Sequence, residues 1–232
     1  MNAMLTPVNS SIGKKALVGV TGMLLVLFVL GHLTGNLLVF AGRNAINEYA
    51  HFLHEMGHGV LIWVVRLGLL GVFVAHLALA ILLRFENRRA RPVRYAHEDT
   101  VQATWASRNM LLTGLVMLFF VLYHLAHFTL GWTSPVTFKG AFPLHGPDQL
   151  PDVYRMVVLG FQNPVVAGLY LVAQLFLCLH LWHGAGSWTQ TLGLNRGKLR
   201  GFTSLIGPVV ALVVLVGNSL IVLACLLGIV SV

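Results

Sequence analysis

Charge is scarce in this 232-residue sequence: Asp, Glu, Lys and Arg make up 9% of it, against 57% hydrophobic residues and a mean hydropathy of +0.81. A chain of that composition has too little polar surface to cover a water-soluble globule, so it is expected to be an integral membrane protein. Cysteine is nearly absent as well. Cys178 and Cys225 both fall inside apolar runs, with no CxxC and no CxxCH, which argues against a disulfide framework and against covalent haem attachment. They read as small apolar fillers. No small-x-small cleavage site follows the first apolar run, so that run is expected to be a retained helix rather than a signal peptide. No internal repeat or low-complexity tract stands out.

What is present is apolar length. Runs able to cross about 30 Å of hydrocarbon at about 1.5 Å per residue cover roughly residues 16–40, 60–83, 110–131, 165–188 and 205–230. The expected fold is all-α, a bundle of five transmembrane helices forming a single domain over residues 1–232. The formal charge of +8 would suit a nucleic-acid binder if it covered one face, but the basic residues bracket the spans instead, and no nucleic-acid partner is expected. Lys14, Lys15, Arg84, Arg88, Arg89, Arg91, Arg94, Arg108, Arg196, Lys198 and Arg200 fall on one side, and Arg43, Arg66, Lys139 and Arg155 on the other. The positive-inside bias then places the N-terminus in the cytoplasm and the C-terminus outside.

The links carry local signals. Ser10-Ser11 offer a cap for the first helix, whose Gly19, Gly22, Gly31 and Gly35 allow close approach by a neighbouring helix or a flat ring. Between Gly42 and Gly59, Ile46, Tyr49, Ala50, Leu53 and Met56 alternate at helical spacing with Asn47, Glu48, His51, His54 and Glu55, which predicts a short amphipathic helix at the interface, against lipid. Pro92 should stop any continuation of the second span. Residues 132–164 hold five of the eight prolines and are expected to be the longest non-helical piece.

Four histidines stand one each in four of the apolar runs: His32, His76, His124 and His180. An ionisable group in a membrane segment is costly and marks function by default. With the helices oriented as above, His32 and His124 both lie about 25 Å from the inner surface, and His76 and His180 about 12 Å from it. Two pairs at two depths, each from different helices, is what two six-coordinate irons stacked across a bilayer would need. The predicted ligand pairs are His32 with His124 for an outer haem and His76 with His180 for an inner haem. Bis-imidazole iron has no open position for oxygen, so the implied chemistry is electron transfer. His127 and His183 lie one turn from His124 and His180 on the same faces and are alternative ligands.

These residues sit in wording that resembles a known family. SSIGKKALVGVTG and GHLTGNLLVF in the first helix, NEYAHFLHEMG with LIWVVRLGLLGVFVAHLALA through the second, YHLAHFT in the third and LHLWHGAGSWTQTLGLN in the fourth are similar to the cytochrome b membrane-anchor subunit of succinate dehydrogenases and fumarate reductases, respiratory complex II, in its five-helix, two-haem b, single-polypeptide form. The resemblance covers most of the chain. It implies a bacterial-type cytoplasmic (inner) membrane location, with a flavoprotein subunit and an iron–sulfur subunit docked on the cytoplasmic face. Electrons would run from the iron–sulfur subunit through the inner and then the outer haem to a quinone, with menaquinone expected. Succinate and fumarate would bind the flavoprotein and not this chain.

The family feature for quinone protonation is a carboxylate near the outer haem. Glu55 is preferred and Glu48 is the alternative, both of which also read as solvated residues of an interfacial helix; His51 and His54 share that ambiguity. Arg66 is a candidate partner for a haem propionate on the outer side, and Lys15, Arg84 and Ser107 on the inner side. Two rivals remain open from sequence: a dihaem cytochrome b anchoring a hydrogenase or formate dehydrogenase, and a transporter whose histidines line a metal or proton path.

Overall fold

A computed structural model describes residues 10–90, 104–146 and 149–232. The described residues contain helices and turns and no strand; the one β-bridge joins His145 to Leu150. Five helices are long and apolar enough to cross a membrane, at Ser11–Ala41, Val60–Arg89, Met110–Thr129, Pro164–Thr191 and Gly197–Leu226. Large apolar side chains such as Leu27, Trp63, Leu67, Phe119, Val172 and Val216 are exposed along them, as expected of a multi-pass membrane protein whose outer surface meets lipid.

Helix α1 (Ser11–Asn36) starts at Ser10, whose hydroxyl accepts from the Gly13 N–H at 3.0 Å. A 3-10 turn at Leu37–Ala41 and Gly42, at φ 101°, redirect the chain into the amphipathic α2 (Arg43–Glu55). Gly57, His58 and Gly59 all take positive φ, which reverses the chain into α3 (Val60–Arg89). Pro92 lies outside the described residues, as do Arg91 and Arg94. The short α4 (Trp105–Arg108) is capped by Thr104 and leads into α5 (Met110–His124), which continues as a π turn over Leu125–Thr129.

The expectation of a non-helical stretch over residues 132–164 is corrected by α6 (Val153–Gln162). Its prolines bracket the helix instead of interrupting it. Pro151 precedes Asp152, whose carboxylate caps the helix by accepting from the Arg155 N–H at 3.1 Å, and the helix buries Met156, Val158 and Phe161. Pro164 then opens α7 (Pro164–Thr191) at the position where a missing N–H costs nothing. Asn163 caps α7 by accepting from Val165 and Val166. The last helix, α8 (Arg200–Leu226), begins before the expected start of the fifth span and carries Pro208 inside it.

The chain divides into two compact units, each assembled from parts of several helices. The first comprises Met1–Leu27, Gly68–Leu115 and Cys178–Leu212, the second Phe28–Leu67, Val116–Leu177 and Val213–Val232. In the first, α7 and α8 meet backbone to backbone: a Cβ at Gly207 would fall 3.1 Å from the Gly186 nitrogen and onto the Trp182 carbonyl, so no side chain fits there. Lys14 pairs with Glu86, tying α1 to α3. In the second, α8 carries Asn218, whose amide donates to Gln174 of α7 at 3.1 Å.

The second unit also holds a buried carboxylate with several partners. Asp152 is fully buried and accepts from Arg43 and from Asn47 of α2, while Asn47 accepts from the Tyr154 N–H at 2.9 Å. Asn47 is therefore buried and not on the polar face of α2 to which its spacing assigned it. Burial pushes the Asp152 carboxyl up, but the hydrogen bonds from Arg43, the Arg155 N–H and Asn47, with the Arg43 charge, outweigh it and hold the group below its ordinary 3.8.

Asp152→Ala leaves Arg43 and Asn47 without their acceptor and is expected to destabilise this unit by about 3 kcal/mol, read as a lower melting temperature in detergent. A carboxyl with a lowered native pKa contributes stability that is complete above about pH 4 and lost as pH falls through its folded value. Asp152→Asn should therefore flatten the acid limb of the wild-type stability curve below about pH 4; an unchanged acid limb would contradict the node.

Candidate functional site: two histidine pairs

Each unit contains one of the two histidine pairs. The first holds His76 on α3 and His180 on α7. Both rings are held the same way at Nδ1: His76 Nδ1 lies 3.1 Å from Thr21 Oγ1 of α1, and His180 Nδ1 lies 3.1 Å from Thr113 Oγ1 of α5.

The direction of these bonds follows from the threonines. Thr21 gives its hydroxyl proton to the Leu17 carbonyl at 2.8 Å, and Thr113 gives its own to Met110 at 3.1 Å. With those donations made, each oxygen accepts at its histidine, which then carries its proton on Nδ1. A neutral imidazole protonated there has a bare lone pair on Nε2. The same arrangement fixes the tautomer and orientation of metal-bound histidines, where an outer partner holds one ring nitrogen and the metal takes the other. Space beside the ring is also preserved: a Cβ on Gly22 would come 3.1 Å from His76 Cε1, closer than side chains normally approach.

In the second unit the rings of His32 on α1 and His124 on α5 lie 5.8 Å apart between centroids, with their planes at 89°. A metal–imidazole bond of roughly 2 Å on each side, plus about 1 Å from nitrogen to ring centre, puts two opposed imidazoles about 6 Å apart. The observed separation fits two axial ligands of one iron. His32 is exposed and stacks on Phe28 at 5.5 Å. His124 Nδ1 faces the Tyr170 hydroxyl of α7 at 3.2 Å, and His127, in the π turn, faces the same hydroxyl at 3.1 Å. His183 lies in the first unit, within electrostatic reach of His180.

Among the described residues no group of three or more His, Cys, Asp or Glu side chains converges as a metal cluster. Haem needs only two protein ligands per iron, so each histidine pair is a sufficient donor set for one.

The remaining predicted site residues are more scattered. Glu48, His51, His54 and Glu55 are exposed on α2. His54 donates Nδ1–H to the Ala50 carbonyl at 2.7 Å and receives Arg66 Nη2 on Nε2 at 3.4 Å. Arg66 also lies over the Trp63 ring, its guanidinium carbon 5.1 Å from the centroid. Lys139 is in electrostatic reach of Arg66; burial and that neighbouring positive charge both push its pKa down. Lys15 and Arg84 are exposed, and the Ser107 hydroxyl donates to the Thr104 carbonyl at 2.8 Å within its own turn.

The sequence reading missed Thr21, Thr113 and Tyr170. Tyr170 had a usable signal, a phenol in the middle of an apolar run. The threonines had almost none, because a threonine in a membrane helix satisfies its hydroxyl on its own backbone.

Comparison with protein-family models, with curated proteins and with solved structures finds nothing that matches the chain.

Loss of an outer hydrogen bond to a metal-bound histidine weakens metal binding by about 10- to 100-fold. If the His76/His180 pair holds a haem, Thr113→Val, which keeps the shape and deletes the hydroxyl, is expected to lower its retention by that order during purification, without effect on the His32/His124 pair. Retention equal to wild type would show that the threonine does not orient the ring.

Proposed function

We propose that the chain is the dihaem cytochrome b anchor of a succinate:quinone oxidoreductase, linking an iron–sulfur subunit to a membrane quinone, menaquinone by resemblance. The observation that carries this reading is the histidine arrangement. Each compact unit contains one pair drawn from two different helices, and in three of the four rings Nδ1 is engaged by a hydroxyl. In His76 and His180 that engagement leaves Nε2 bare.

His76 and His180 would hold one haem b, and His32 and His124 the other. Haem bound there would supply one-electron transfer. The chain's own contribution is to orient three of the four imidazoles through hydroxyls, to surround the sites with apolar helices, and to provide anchorage. Dry surroundings strengthen the electrostatic hold of the protein on the bound group.

The distribution of Lys and Arg supports a cytoplasmic N-terminus, with the flavoprotein and iron–sulfur partners on the cytoplasmic face of a bacterial-type inner membrane. For quinone protonation the candidate is Glu55, exposed on α2 one residue from His54 and its Arg66 contact. A carboxylate there can exchange protons with solvent, as reduction of a quinone by two electrons and two protons requires. Arg66, engaged by His54 and Trp63, is a weaker propionate partner than its position in the span suggests.

Two tests follow. Wild-type protein purified in detergent should contain two b-type haems per chain, and His32→Ala, His76→Ala, His124→Ala and His180→Ala should each lose one. A chain without haem absorbance would instead support a histidine-lined transporter. Glu55→Gln should slow quinone turnover by roughly 10²-fold while both haem spectra stay intact; undiminished turnover discards that role.

A further inference from the structure

Tyr170 is 4% exposed in α7, and its hydroxyl meets two imidazole nitrogens at once, His124 Nδ1 at 3.2 Å and His127 Nδ1 at 3.1 Å. A phenol has one proton to donate. The arrangement that uses the phenol proton has one imidazole accept it at Nδ1 while the other gives its own Nδ1 proton to the phenol oxygen.

A neutral imidazole carries a single proton, so these two rings are opposite tautomers. The ring that donates at Nδ1 has a bare Nε2. The ring that accepts at Nδ1 is protonated at Nε2 and has no lone pair there for a metal. In that arrangement only one of His124 and His127 can be an iron ligand.

Packing decides which. His124 is the one in ring contact with His32. His127 is 3% exposed and enclosed, its ring 4.0 Å from that of Phe128 and 5.7 Å from that of Tyr123. A Cβ on Gly160 of α6 would fall 3.3 Å from its Nε2. Tyr170 is itself clamped by Phe161 at 4.9 Å and Phe120 at 5.1 Å, so its hydroxyl is held in place. The π turn that starts one residue after His124 carries His127, and such turns are frequent at functional sites.

We propose that Tyr170 is a positioning residue for the His32/His124 haem: its hydroxyl donates to His127 and accepts from His124, which fixes His124 as the ligand and withholds His127 from iron. The inference rests on the dihaem reading. A ligated imidazole that donates at Nδ1 is more basic and favours the oxidised iron. Removing the acceptor should raise the midpoint potential of that haem alone.

The test is a redox titration, with optical and EPR spectra, of the purified complex carrying Tyr170→Phe. The expected result is two haems per chain, an upward shift in one midpoint with a changed low-spin EPR signal, and no change in the other haem. Two haems with both midpoints and both EPR signals as in wild type would overturn the role of Tyr170 and leave the dihaem reading standing. A wild-type complex with no haem would overturn both. If Tyr170→Phe fails to assemble, His127→Phe decides: two haems retained is expected, whereas loss of one there, with both kept in His124→Ala, would make His127 the ligand and overturn the proposal.

Discussion

A ring nitrogen placed among apolar helices cannot turn to water, and leaving it unmatched costs several kcal/mol. For three of the four paired histidines, His76, His180 and His124, that cost is met by a hydroxyl on another helix. His76 and His180 meet it with threonine hydroxyls whose own protons are already committed to the backbone. When those oxygens accept, they do more than satisfy the rings: they set the tautomer. His124 and His127 meet the same cost with one shared phenol, which uses its own proton only when the two rings are opposite tautomers. Hydrogen-bond accounting in a dry interior thus becomes a statement about which nitrogens are available for coordination.

The polar node outside the histidine sites answers the same constraint differently. Asp152, Arg43 and Asn47 bring a carboxylate, a guanidinium and an amide together in one buried cluster, and they join α2 to α6. This fixes the interfacial helix that carries Glu48, His51, His54 and Glu55. The exposed acids on α2 are consequently mounted on an anchored element, as a group that exchanges protons repeatedly would need.

Much of this architecture is legible in the sequence because lipid imposes a strong pattern. The five membrane-crossing helices follow from apolar length, and α2 from its amphipathic spacing. The four histidines stand out because their surroundings have no other reason to contain them. What the sequence hides depends on contacts between distant segments. Nothing local distinguishes Thr21 and Thr113 from threonines bonded to their own helices, yet each faces a histidine on another helix. Asn47 lies among polar neighbours on α2 and is nonetheless turned inward by Asp152, more than a hundred residues away in sequence. The helix α6 is masked by prolines that, read as breakers, suggest a loop, although they flank it as a start and a stop. The π turn after His124 leaves no compositional trace at all.

The central claim is that the two histidine pairs are two separate haem sites of one electron-transfer chain. A potentiometric titration of the wild-type protein, followed in the visible α-band with haem and protein quantified on the same sample, tests this most directly. The account predicts two haems per chain titrating as two one-electron components. A single component at one haem per chain, or no reducible chromophore, would contradict it.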